Sequence, residues 1–200
     1  MSGEKLPAEK LPDHDHIAAI VPEYSHAGDS TTIITTDGTI LSAPVRVSTV
    51  LRRLARAQAT DLPALKRLSS RATGRSILAP LPLSAGLVLV PLKVRKPKIK
   101  GDPCTGYVNS HAAIAVEKTA AAPYRTVVKL SGGGNVATLW HTATVNRRLS
   151  LARLLAPGSS QPLVLREAGG PYQIELTALV RRLVEIFGAM IKQYSLTSRQ

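Results

Sequence analysis

Residues 126–140 read TVVKLSGGGNVATLW. Two runs containing β-branched residues, Thr126–Leu130 and Val136–Trp140, flank Ser131–Asn135, whose consecutive glycines break any regular element. The stretch predicts a strand, a turn and a returning antiparallel strand. The same pattern occurs near the start of the chain. Thr31–Thr36 is β-branched throughout and meets Asp37-Gly38, a dipeptide that supplies the positive φ of a hairpin turn; Thr39-Ile40-Leu41 returns as its partner. Ile17–Val21 is a short apolar run stopped by Pro22. Gly86–Leu92 (GLVLVPL) predicts a buried strand. Tyr107-Val108 and Ile114-Ala115-Val116 bracket the polar loop Asn109-Ser110-His111. The strands are expected to be mainly antiparallel.

Three short helices are expected among them. Ser48 suits an N-cap for a helix over 49–58, with Val50, Leu51 and Leu54 inward and Arg52, Arg53 and Arg56 on the remaining faces. Asp61 caps a second helix with Pro63 in its first turn; Leu65 and Leu68 point inward, and Lys66, Arg67, Arg71 and Arg75 follow. Thr144–Leu155 reads as a third helix bearing Arg147, Arg148 and Arg153, stopped by Pro157-Gly158. Residues 156–172 form a linker. Over Ile174–Ile191, apolar residues fall at 176, 179, 180, 183, 186, 187, 190 and 191, the spacing of an amphipathic helix that packs on its own domain or pairs with a second copy. The expected organisation is a flexible arm over 1–16, a β-rich domain over 17–155, and a linker with a C-terminal helix over 156–200.

Charge narrows the function. The chain has 200 residues with 26 Lys+Arg against 13 Asp+Glu, a formal net charge of +13, and a pI of about 10.4. Such a surface attracts polyanions through Coulomb focusing and counterion release. From Arg46 to Arg75 there are eight basic residues and one acid, Asp61, so the charge is concentrated. Lys93-Val94-Arg95-Lys96-Pro97-Lys98-Ile99-Lys100 carries five cations and no acid. It reads as an extended basic arm able to follow a groove; a charged edge that blocks strand pairing would look the same.

Catalytic chemistry is sparse. Ser131-Gly132-Gly133-Gly134 lacks the Lys-Ser/Thr ending of a phosphate loop, no Gly-x-Ser-x-Gly occurs, and the few acids are scattered. Cys104 and His111 lack an orienting third group. His14, Asp15 and His16 have no second His/Cys pair at ligand spacing. No enzyme activity, cofactor or metal is expected. The single cysteine fits a reducing compartment. No signal peptide is visible, and the apolar run Ile77–Leu92 is broken by prolines and too short to span a bilayer as a helix. A cytoplasmic protein without a membrane partner is expected.

Taken in order, these pieces resemble the competence transcription factor family ComK over roughly residues 17–150. The resemblance rests on the strand ending in proline (Ile17–Pro22), the strand and turn near Thr31–Ile40, the basic helix (Arg52–Arg56) and the small-residue basic stretch (Thr60–Gly74). It continues through the proline-rich approach to a strand (Leu81–Pro91), the Cys-led strand (Cys104–Ile114), and the glycine-turn hairpin leading into a helix (Thr126–Arg148). Val108-Asn109-Ser110-His111 through Ile114, with the hairpin after it, is also similar to the LytTR DNA-binding domain of response regulators. The implied fold class is α+β, mainly antiparallel β with LytTR-like sheets, short basic helices and a C-terminal amphipathic helix. The resemblance implies a nucleoid-associated transcription regulator that activates competence or DNA-uptake genes. It would bind paired AT-rich boxes of double-stranded DNA, largely through the minor groove, as a homo-oligomer. It also implies control by an adaptor and a Clp-type protease acting on the C-terminal region.

An AT-rich minor groove is narrow and strongly negative, and it attracts inserted Arg and Lys. Arg95, Lys96 and Lys98 are assigned to it, with Lys93 and Lys100 beside them. Arg52, Arg53, Arg56, Lys66, Arg67 and Arg71 are assigned to phosphates. Asn109, His111 and His141 are candidates for base edges, and Arg147 and Arg148 extend the basic surface. Two other readings stay open at this point: a basic protein that binds RNA or the ribosome, and a structural protein acting through helix 174–191.

Overall fold

In the computed structural model, residues 4–5, 11–26, 28–74 and 77–156 are described. Arg75, most of the linker and the helix expected over 174–191 lie outside them.

The expected hairpins form, and local chemistry closes them. Strands β1 (Glu4–Lys5), β2 (Ile17–Ser25), β3 (Gly28–Thr35) and β4 (Ile40–Ala43) open the chain. Between β3 and β4, Gly38 takes φ 91°. The Asp37 carboxylate accepts from the Thr39 amide at 3.1 Å and from the Thr35 hydroxyl. Helices α1 (Val47–Ala57) and α2 (Leu62–Thr73) follow, then β5 (Leu81–Pro82), β6 (Val88–Lys93), β7 (Thr105–Asn109), β8 (Ala113–Lys118), β9 (Thr126–Leu130), β10 (Asn135–Thr138) and α3 (Thr142–Leu154). The order β1-β4-β3-β2-β7-β6-β5 makes a seven-stranded sheet, and β10-β9-β8 a three-stranded one. The pairing is antiparallel except for the short β1, which runs parallel to β4. The fold is α+β with mainly antiparallel sheets. None of its described helices is long and apolar enough to cross a membrane.

The larger sheet is the middle of three layers, which explains its apolar runs. In β6, Val88, Val90 and Leu92 pack into one core with Val128, Leu130 and Val136 of the smaller sheet and with Val145, Leu149 and Ala152 of α3. Leu89 faces the opposite core, with Ile20, Ile33, Leu41 and the α1 residues Val47, Val50, Leu51 and Leu54. A strand covered on both faces has no reason to alternate with polar residues. Gly106 of β7 is needed for close packing: a Cβ there would meet Val94 Cγ1 at 2.9 Å.

Several boundaries differ from the sequence reading. Pro22 does not stop β2, which continues to Ser25. The strand β7 pairs with β2 only at Ala19 and Ile20, so that side of β2 is open at Pro22 and a missing N–H costs no ladder bond. Pro91 sits inside β6 in the same way, paired with Tyr107 on one side, while β5 reaches only Val88 and Leu89 on the other. Ser48 is not the cap of α1. The helix starts at Val47, which is buried, and the capping position falls on Arg46, whose side chain caps nothing. Asp61 does cap α2, accepting from the Ala64 amide at 3.4 Å. That helix buries Leu62 and Ser69 and leaves Leu68 61% exposed, because its inner face runs 62, 65, 69. Glu4–Lys5, expected in a loose arm, extends the sheet beside β4.

Candidate nucleic-acid interface

The basic stretch after β6 is a cinched loop and not the extended arm expected from its cations and Pro97. Its neck closes where the Val94 amide donates to the Cys104 carbonyl at 3.0 Å. Further out, one carboxylate gathers the backbone: Asp102 accepts from the Lys98 amide at 3.1 Å, the Ile99 amide at 3.0 Å and the Tyr24 hydroxyl at 2.6 Å. The Tyr24 hydrogen bond, and then the backbone amides, hold the Asp102 carboxyl below the ordinary aspartate value. The same hydrogen bond pushes the Tyr24 hydroxyl above the ordinary tyrosine value.

Arg95 anchors the base of this loop. Its side chain is 11% exposed and bonds Asp29 Oδ1 at 2.9 Å. Its Nε donates to the Pro103 carbonyl at 2.7 Å, and its guanidinium lies 3.7 Å from the Tyr24 ring centroid. The second Asp29 oxygen meets Arg46 Nε at 3.4 Å, just ahead of α1. Asp29 thereby ties the loop to the start of that helix. Arg95, expected in a DNA groove, is instead a positioning residue: its Nε and one terminal nitrogen are bonded to a carbonyl and a carboxylate, its plane lies over the Tyr24 ring, and it is too buried to reach a groove.

What the anchor holds outward is a cationic tip. Lys96, Lys98, Ile99 and Lys100 are all exposed, and the Lys98 ammonium rests 4.4 Å from the Tyr24 ring centroid. Lys93 is exposed at the end of β6, where its carbonyl accepts from the Leu139 amide at 2.8 Å and the Thr138 hydroxyl at 2.7 Å. On the helices, Arg52, Arg56, Lys66, Arg67 and Arg71 are exposed. Arg53 is half-buried beside an open pocket lined by Leu11, Pro12, Asp13 and His14. None of these helix and loop cations forms an ion pair with a described carboxylate.

Two further predicted contact residues are structural. Asn109 is 2% exposed and clips three segments together. Its Nδ2 donates to the Ile17 and Gly86 carbonyls at 3.0 and 2.9 Å, and its Oδ1 accepts from the Val88 and His111 amides at 3.4 and 3.2 Å. It has no polar atom to offer a base edge. Arg148 is 9% exposed, donates to the Leu78 carbonyl at 2.8 Å and stacks 4.1 Å from the Trp140 ring centroid. His111, His141 and Arg147 are exposed; His141 Nε2 contacts Arg125 and the residue stands at the N-cap of α3.

No protein-family model, curated protein or solved structure matches the chain.

The described residues hold no group of three or more His, Cys, Asp or Glu placed to bind a metal; the ring nitrogens of His14 meet the carboxylates of Asp13 and Asp15, at 2.8 and 3.1 Å. Sequence reasoning missed Tyr24, Asp29, Arg46 and Asp102, the residues that shape and orient the loop. Tyr24 and Asp102 are 78 positions apart, and no local pattern signals their contact.

Proposed function

We propose that this chain is a sequence-specific DNA-binding transcription regulator, an activator of competence or DNA-uptake genes that binds AT-rich duplex DNA as a homo-oligomer without catalysing a reaction. One observation carries the reading. Exposed cations on α1, α2 and the Lys93–Lys100 loop have no ion-pair partner among the described carboxylates, and the loop tip that displays three of them is held by a fixed network. Unneutralised cations retain their full attraction for phosphate, and each phosphate they neutralise releases condensed counterions. A pre-shaped loop loses little conformational entropy on binding. The order of sequence features shared with the ComK family supports the competence assignment and control through a protease adaptor.

The contacts divide by type. Lys96, Lys98 and Lys100 serve the minor groove and its flanking phosphates. Arg52, Arg53, Arg56, Lys66, Arg67 and Arg71 serve phosphates from α1 and α2, and Lys93 and Arg147 do so from other elements. His111 and His141 are the remaining candidates for base edges. The described aromatics, Tyr24, Tyr107, Tyr124 and Trp140, are all partly buried. A stacking platform for single strands needs open rings, so this favours a duplex.

A competition shift assay tests the reading. A labelled AT-rich duplex should be displaced by unlabelled AT-rich duplex well before GC-rich duplex or RNA. Displacement by RNA at equal or lower concentration would overturn it in favour of an RNA-binding protein.

A further inference from the structure

The tip of the basic loop carries an apolar residue that the phosphate-binding reading leaves unused. Ile99 is 73% exposed between Lys98 and Lys100. An exposed isoleucine alone means little. This one differs in its mounting, because its own amide and that of Lys98 are bonded to the Asp102 carboxylate, which Tyr24 holds in turn. The apolar side chain therefore stands on a braced turn, with an exposed lysine before and after it in the chain.

We infer that Ile99 is a wedge that enters duplex DNA from the minor groove and separates adjacent base pairs, while Lys98 and Lys100 engage the phosphates on either side. The inference rests on the DNA-binding reading above and adds how the loop acts on its target. Partial unstacking is costly, and proteins that achieve it push a rigid apolar side chain between base pairs from a cationic mount. Of the four other large apolar residues exposed among the described residues, Leu68, Ile114 and Leu154 lie on helices or a strand, and Ile77 stands in a loop. Leu68 lies on the side of α2, and a helix approaches DNA through the wide major groove. Ile114 lies within β8, at an irregularity in its pairing with β9, and not at the tip of a loop.

The wedge predicts a preference among AT-rich sequences. Steps of the TA type unstack easily, whereas A-tracts are stiff with a narrow, strongly negative groove. Charge alone favours the A-tract; a wedge favours alternating TA steps.

The test uses the full chain and two duplexes of about 30 base pairs, one alternating TA and one an A-tract. One central adenine of the TA duplex is replaced by 2-aminopurine, whose fluorescence rises on unstacking. The repeat places a TA step within one base pair of the loop in every register. The wild-type chain should bind the alternating duplex more tightly and raise its fluorescence. Ile99→Ala should abolish the rise and weaken binding to that duplex about tenfold while binding the A-tract as before. Ile99→Leu should restore the rise. An Ile99→Ala chain that binds and unstacks like the wild type overturns the wedge and leaves DNA binding standing. A wild-type chain that binds neither duplex overturns both.

Discussion

The Tyr24 hydroxyl donates to the Asp102 carboxylate at 2.6 Å, joining strand β2 to the loop after β6 across 78 positions of sequence. This bond is one of several that shape residues 95–102, beside the Arg95–Asp29 ion pair and the backbone bond from Val94 to Cys104. Asp102 binds two backbone amides on its other side, and the Tyr24 ring supports Arg95 and Lys98, so these two residues help hold both the base and the tip of the loop.

Asp102→Ala separates shape from charge. The substitution raises the net positive charge by one, which by itself would tighten binding to DNA. Loss of the cinch should instead weaken affinity for AT-rich duplex roughly threefold to tenfold at fixed salt, because the loop must then be ordered on binding. Tyr24→Phe, which leaves the charge unchanged, should act in the same direction more weakly. Fluorescence anisotropy titrations check both, and faster hydrogen exchange at the Lys98 and Ile99 amides should accompany the loss.

The cinch should also have a defined pH range. Hydrogen bonding from Tyr24 lowers the folded Asp102 value below its unfolded one, so its contribution is complete above the unfolded value of about 3.9. It fades only as pH falls through the lower folded value. Tyr24, raised by the same bond, keeps its donating proton beyond the ordinary tyrosine range. Amide exchange at Lys98 and Ile99, corrected for intrinsic rate, should show no opening step between about pH 5 and 8. A step within that interval would mean that another group controls the loop.

Neighbouring arginines on α3 should behave oppositely. Arg148→Ala removes a buried guanidinium from the Leu78 carbonyl and the Trp140 ring, at a cost of about 2–4 kcal/mol. Arg147→Ala, at an exposed position, should change stability by less than about 0.5 kcal/mol. Urea denaturation of the two variants checks this; equal losses would mean that the two side chains do not differ in burial as described.

The sequence revealed local features and hid distant ones for a consistent reason. Asp37-Gly38 and the three glycines after Leu130 specify turns within a few residues, and the apolar run of β6 announces burial on both faces. Arg95, Asn109 and Arg148 look like surface polar residues. Their burial depends on Asp29, Ile17 and Leu78, which lie 66, 92 and 70 positions away. Pro22 reads as a strand breaker because a local rule cannot tell which side of a strand lacks a partner. The exposed cations of α1 and α2 were legible because helical spacing alone separates them from Val50, Leu51 and Leu54.

The salt dependence of duplex binding tests the central claim most directly. For the full chain on AT-rich duplex, log K should fall linearly with log salt, and Lys96→Ala with Lys98→Ala should flatten that slope by about two units, one per lost phosphate contact. A slope that the double substitution leaves unchanged would remove the loop from the interface and contradict the account.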